Sequence, residues 1–87
     1  MGQFNERDLD ELLCALRDGS EYESSSSGGR YATKCSYRDG IYYVERFGEG
    51  LVDTYRFDDA AMRSFILRGG DDEVWLRMLV ARREQSR

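Results

Sequence analysis

The fold of this chain is decided by residues 30–57, which have the sequence RYATKCSYRDGIYYVERFGEGLVDTYRF. Two turn signals divide the stretch: Asp39-Gly40 is a preferred two-residue hairpin turn, and Glu49-Gly50 is placed to form a second. The segments between them are rich in Tyr, Val, Phe, Thr and Ile, which favour strands. The stretch therefore predicts an antiparallel meander of three strands, at residues 30–37, 41–47 and 51–57.

The two turns also predict how the strands pair. Lys34 then faces Glu45, and Arg46 faces Asp53, so that opposite charges lie across from each other in both hairpins. The same registers give the sheet one apolar and one polar face, and we expect the apolar face to pack against helices. The apolar face carries Cys35, Tyr37, Tyr42, Val44, Tyr55 and Phe57; the polar face carries Lys34, Ser36, Tyr43, Glu45, Thr54 and Arg56.

Three helices are indicated by apolar residues at helical spacing. Asn5 is placed to cap the first helix and Asp58 the second. The predicted fold class is α+β, with an N-terminal helix, the three-stranded antiparallel meander and two C-terminal helices packed on one sheet face. The helical stripes are Leu9, Leu12, Leu13 and Leu16, then Ala61, Met62, Phe65 and Ile66, then Val74, Trp75, Met78 and Leu79.

Length and composition indicate a single domain over residues 1–87, with a flexible loop at about residues 20–29, SEYESSSSGG. The two cysteines, Cys14 and Cys35, form no disulfide framework, which is typical of free thiols in a reducing compartment. Neither a signal peptide nor an apolar run of membrane-spanning length is present. We therefore expect a cytoplasmic protein that makes no membrane contact.

Catalysis is not expected, because the chain contains no histidine, the commonest general acid–base residue and metal ligand. The paired carboxylates Asp58-Asp59 and Asp71-Asp72 lie where helices are predicted to begin, so that capping explains them without chemistry. The prediction is a non-enzymatic protein with no catalytic residues, no metal ligands and no cofactor.

Direct nucleic-acid binding is not expected either, since the chain has a net charge of −4. Acidic residues lie among the cations of the predicted strands. A protein partner suits the composition better, because tyrosine and arginine are common at binding hot spots, and Tyr43 lies among charges on the polar sheet face.

The chain resembles small phage-encoded anti-CRISPR proteins in length and in the order helix, three strands, two helices. The similar features are a short leucine helix, the Asp39-Gly40 hairpin, the aromatic strand at 41–45, the helix from Asp58 to Phe65 and a double-glycine break. The resemblance implies a protein-binding inhibitor that blocks a nucleic-acid-handling effector by steric and electrostatic mimicry. On this implication the mimicking surface consists of acids at the strand turns, on the sheet and in the loop. Together with Tyr43, the hot-spot candidate of the polar sheet face, they give six predicted partner-binding residues: Glu21, Glu23, Asp39, Tyr43, Glu45 and Glu49.

Three alternatives stay open. Toxin-neutralising bacterial immunity proteins share the size, the acidity and the lack of catalytic groups. A nucleic-acid-binding regulator could use the three-stranded sheet. A homo-oligomer could pair through an edge strand or the third helix across a dyad.

Overall fold

The chain folds into three helices and one antiparallel sheet in a computed structural model that describes residues 4–25, 30–69 and 72–85. The strands are β1 (Tyr22–Ser25), β2 (Tyr31–Arg38), β3 (Ile41–Gly48) and β4 (Leu51–Phe57), and they lie side by side in that order. The helices are α1 (Glu6–Arg17), α2 (Asp59–Arg68) and α3 (Asp72–Gln85). The predicted α+β class is confirmed. Among the described residues, no helix is both long and apolar enough to span a bilayer.

The sheet has four strands, and the prediction of three was wrong. The additional strand β1 lies within residues 20–29, which were predicted to form a flexible loop. Tyr22 and Ser24 point into the protein while Glu23 and Ser25 point out, so the segment alternates as an edge strand does. Burial of the Tyr22 ring outweighs the loop-like serine composition around it. The remainder of the predicted loop, residues 26–29, lies outside the described residues.

Both predicted hairpin turns are present, with left-handed backbone at two successive residues. The φ angles are 53° and 84° at Asp39 and Gly40, and 45° and 84° at Glu49 and Gly50. Positive φ at both central residues is the geometry whose twist matches that of flanking strands. The predicted pairs of Lys34 with Glu45 and of Arg46 with Asp53 are confirmed.

The hydrophobic core lies between the three helices and one face of the sheet. Asn5 caps α1 by accepting a hydrogen bond from the Asp8 amide, and Asp58 caps α2 by accepting one from the Ala61 amide. Ala61 is exposed and does not belong to the buried stripe of α2, whereas Met62 and Ile66 do. The core cluster runs through all three helices. The predicted single domain covers residues 1–87. Because some of these residues lie outside the described ones, it stays a prediction.

Trp75 lies at the centre of this core on α3. Its side chain is completely buried, and the ring of Phe65 contacts it edge-on with 6.2 Å between centroids. Because a small chain has a thin core, a single large side chain accounts for much of the buried apolar surface.

Trp75→Ala should therefore lower the free energy of unfolding by about 3–5 kcal/mol, through lost burial and the cavity left behind. Urea denaturation followed by circular dichroism measures this change. The control is Val80→Ala on the same helix, where the side chain is 52% exposed and the expected loss is below about 1 kcal/mol. Equal losses in the two variants would show that Trp75 is not a core residue.

Candidate functional site

The second face of the sheet is left open by the helices. Side chains on the helix-facing side of β2 and β3 are largely buried, whereas those on the other side are half-buried or exposed. The latter surround a shallow concavity of about 420 Å³. We call this surface the open face, and its residues are Glu21, Glu23, Lys34, Ser36, Arg38, Tyr43, Glu45, Thr54 and Arg56.

Tyr43 lies at the centre of the open face between two arginines. The guanidinium carbon of Arg38 is 5.1 Å from the centroid of the Tyr43 ring, and that of Arg56 is 5.9 Å away. Both distances allow a cation–π interaction, which holds the ring in place. The arrangement presents a fixed aromatic ring with planar guanidinium donors on either side, which suits carboxylates and amides of a partner.

Lys34 and three glutamates complete the open face. The Nζ atom of Lys34 lies 3.6 Å from Oε1 of Glu21, and Lys34 is paired in register with Glu23 on one side and Glu45 on the other. With Arg38 and Arg56, the open face carries as many cations as glutamates. Its charges are therefore mixed, not predominantly acidic.

The six predicted partner-binding residues do not form one patch. Glu21, Glu23, Tyr43 and Glu45 share the open face. Asp39 precedes β3 and Glu49 follows it, so the two acids lie at opposite ends of an eight-residue strand. At roughly 3.3 Å per residue they are about 30 Å apart. The Glu49 carboxylate also accepts a hydrogen bond from the Tyr31 hydroxyl at 3.3 Å. The binding role of all six stays a prediction.

Two arginines of this surface, Arg38 and Arg56, are absent from the predicted partner-binding residues. The signal for them was in the strand registers. Arg56 pairs directly with Tyr43, and Arg38 ends β2 beside it. The resemblance to anti-CRISPR proteins implies electrostatic mimicry, which favours acids over arginines as binding residues.

Several acids of the N-terminal part of the chain form ion pairs with arginines elsewhere in the fold. Residues 1–29 carry seven acids and two bases. The carboxylate of Asp10 lies 2.7 Å from the Arg63 guanidinium, and that of Glu11 lies 3.1 Å from Arg83. These contacts join α1 to α2 and α3. Part of the local negative charge is therefore balanced by arginines distant in sequence.

A second polar network joins α1, β3 and α2 around the buried ring of Tyr42. The Tyr42 hydroxyl accepts a hydrogen bond from Nη1 of Arg17 at 2.8 Å and donates one to Oδ1 of Asp59 at 3.2 Å. Burial raises the pKa of Tyr42. The hydrogen bond from Arg63 is the main cause that lowers the pKa of Asp59, with Tyr42 and Arg17 adding to it.

The paired carboxylates at the predicted starts of the second and third helices have structural roles where they are described. Asp58 is the N-cap of α2, and Asp59 belongs to the Tyr42 network. Asp72 accepts a hydrogen bond from the Phe4 amide at 3.4 Å, while the predicted cap Asp71 lies outside the described residues. No cluster of three or more His, Cys, Asp or Glu suited to a metal ion occurs among residues 4–25, 30–69 and 72–85.

Both cysteine thiols are unpaired. Cys14 is exposed on α1, and Cys35 is buried in the core, where loss of solvation raises its pKa to about 12. Cys35 is therefore a protonated core residue at neutral pH and has none of the thiolate character of a nucleophile.

Comparison of the chain with protein-family models, curated proteins and solved structures found no match. The function is therefore argued from the fold and from the open face.

The Asp59 network predicts how stability depends on pH. Because the folded chain holds the pKa of Asp59 below its unfolded value, the carboxylate stabilises the fold above the unfolded pKa, and this contribution is lost as the pH falls through the folded one. Between about pH 6 and about pH 3, Asp59→Asn should therefore lose less unfolding free energy than the wild type does. Urea denaturation across this range measures both profiles. Parallel profiles would show that Asp59 forms no effective contact with Arg63 and Tyr42.

Proposed function

We propose that this chain is a non-enzymatic, protein-binding inhibitor that contacts its partner through the open face. The observation that supports this proposal is the Tyr43 ring held between Arg38 and Arg56 on a sheet face that the described helices leave uncovered. Tyrosine and arginine are, with tryptophan, the residue types in which binding energy is most often concentrated. A preorganised ring also loses little entropy when a partner covers it.

The shape and charge of the open face favour a protein over a small molecule. The concavity is shallow and mainly polar, whereas small-molecule sites are enclosed and mostly apolar. Cations and anions alternate across it: Lys34 lies between Glu23 and Glu45, and Arg56 lies beside Tyr43. Such a mixed pattern gives specificity for one complementary protein surface and discriminates against others.

The partner class that we propose is a nucleic-acid-handling effector, as the resemblance to anti-CRISPR proteins implies. Glu21, Glu23 and Glu45 would contact basic residues of the effector, and the body of the sheet would obstruct its nucleic-acid channel. The electrostatic contribution to this mimicry is limited for two reasons. Glu21 already pairs with Lys34, and Asp39 and Glu49 lie at opposite ends of β3. Steric obstruction is therefore the main mechanism in this proposal.

The proposal is tested by inhibition of purified RNA-guided DNA nucleases, with DNA cleavage as the readout. The combined variant Arg38→Ala, Tyr43→Ala, Arg56→Ala should require at least about 30-fold more protein for the same inhibition, because hot-spot residues are removed. Its fold should survive, because all three side chains lie outside the hydrophobic core cluster.

The matched control is Arg7→Ala, Leu67→Ala, Arg68→Ala on α1 and α2. It removes the same charge and one exposed large side chain, and inhibition should be unchanged. If both variants inhibit as the wild type does, the open face is not the contact surface. If the wild type inhibits none of the nucleases, the proposed effector class is wrong.

Nucleic acid itself is the second candidate partner, because Lys34, Arg38 and Arg56 surround an aromatic ring on which a base could stack. The three glutamates of the same surface repel phosphates, which favours the protein partner. The same experiment therefore also measures, by fluorescence anisotropy, how tightly the wild type and the open-face variant bind random oligonucleotides. Micromolar or tighter binding that weakens steeply with salt, and that the open-face variant loses, would replace the protein-binding proposal.

A further inference from the structure

The two edges of the sheet are protected very differently. The edge strand β1 is only four residues long, α3 packs beside it, and Nη1 of Arg77 donates a hydrogen bond to the Ser25 carbonyl at 2.8 Å. The other edge strand, β4, is seven residues long and has no strand beyond it among the described residues. Short or covered edges resist pairing with another chain, whereas long uncovered edges promote it.

The hydrogen-bonding groups of β4 that face outward follow from the second turn. A two-residue turn makes Gly48 and Leu51 a hydrogen-bonded pair, and such pairs alternate along an antiparallel ladder. Every second residue from Leu51 to Phe57 therefore bonds to β3. The intervening residues direct their backbone N–H and C=O groups away from the sheet, and these are Val52, Thr54 and Arg56.

Apart from the charges of Asp53 and Arg56, the features that normally discourage edge pairing are missing from β4. The chain contains no proline, and its single lysine lies in β2. The register with β3 is continuous, so β4 has no bulge. Leu51 and Val52 are 71% and 60% exposed, among the largest exposures of apolar side chains in the described residues. An exposed strand with these properties is suited to accept a further strand.

We propose that β4 pairs antiparallel with β4 of a second copy of this chain, about a dyad that passes through Thr54. Thr54 then faces Thr54 of the second copy, and Val52 faces Arg56. This register pairs all three outward residues of each copy and makes about six backbone hydrogen bonds. If the register between the two copies shifted by two residues in either direction, one of the three outward residues of each copy would lie opposite no residue of the other β4.

The side chains of β4 suit this symmetric register. Arg56 lies opposite an apolar valine and Asp53 lies opposite Tyr55, so no like charges face each other across the dyad. Leu51 lies opposite Phe57, which covers one of the most exposed apolar side chains. The strand is therefore complementary to itself, which is the property that a two-fold interface requires.

The dimer would contain one continuous sheet of eight strands. Directly opposed residues of an antiparallel pair point to the same side of the sheet. The open faces of the two copies would therefore lie on the same side and join along β4. This gives a partner a surface twice as wide as that of one chain.

Analytical ultracentrifugation over increasing protein concentration tests the proposal. The mass should rise from the 10.1 kDa of one chain toward twice that value. Thr54→Pro should remain at the mass of one chain, because proline removes an outward N–H that β3 does not use. The control Glu23→Pro places the same change at an outward position of β1, and it should associate as the wild type does.

A disulfide trap tests the register independently. In a Cys14→Ser background, Thr54→Cys brings two thiols together at a Cα separation of about 5.5 Å, within the range of a disulfide. The Arg56 positions of the two copies are about 14 Å apart, so Arg56→Cys should not cross-link. Mild oxidation should therefore give a covalent dimer of the first variant alone.

Three outcomes would overturn the proposal. The first is a wild-type mass that stays at one chain up to about 1 mM, beyond the range of specific association. The second is a Thr54→Pro variant that associates as the wild type does. The third is equal cross-linking of the Thr54→Cys and Arg56→Cys variants.

Discussion

Two pairs of successive residues with left-handed backbone, Asp39-Gly40 and Glu49-Gly50, constrain the rest of the structure. Each pair closes a two-residue hairpin, and a two-residue hairpin leaves the flanking strands only one register. Since side chains alternate along a strand, the register decides which residues face the helices. A slip by one residue would bring Tyr42 and Val44 to the surface and remove two core side chains that are now almost completely buried.

The packing of all three helices on one side of the sheet gives several acids of the N-terminal part partners within the fold. Asp10 and Glu11 on α1 pair with arginines of α2 and α3, and the Tyr42 hydroxyl joins Arg17 to Asp59. Ion pairs this exposed contribute little individually, but together they hold the helices in place over the core.

The features that could be predicted from the sequence are those that depend on neighbouring residues or on one hairpin. The turns, both strand registers, the caps at Asn5 and Asp58 and the burial of Trp75 are of this kind. The strand β1 was missed because its four residues lie in a serine-rich segment, where only the alternation of Tyr22 and Ser24 indicates a strand.

The positions of the charged residues relative to one another were only partly predictable from the sequence. Ion pairs such as that between Asp10 and Arg63 depend on how helices distant in sequence are placed, which local patterns do not specify. The distance between Asp39 and Glu49 does follow from the length of β3, because the two residues flank that strand. The prediction used their charges and did not use this distance. The pairing of Arg56 with Tyr43 followed from the predicted register, whereas the contacts of Arg38 and Arg56 with the Tyr43 ring depend on side-chain positions that local patterns do not specify.

The open face and the outward backbone groups of β4 both depend on the register between β3 and β4. Contacts between Hα protons in a two-dimensional NMR spectrum test it most directly, because such protons approach closely only in non-hydrogen-bonded antiparallel pairs. The account predicts strong Hα–Hα contacts between Tyr43 and Arg56 and between Glu45 and Thr54. Contacts displaced by one residue, such as Tyr43 with Tyr55, would contradict it, because the two faces of β4 would then be exchanged.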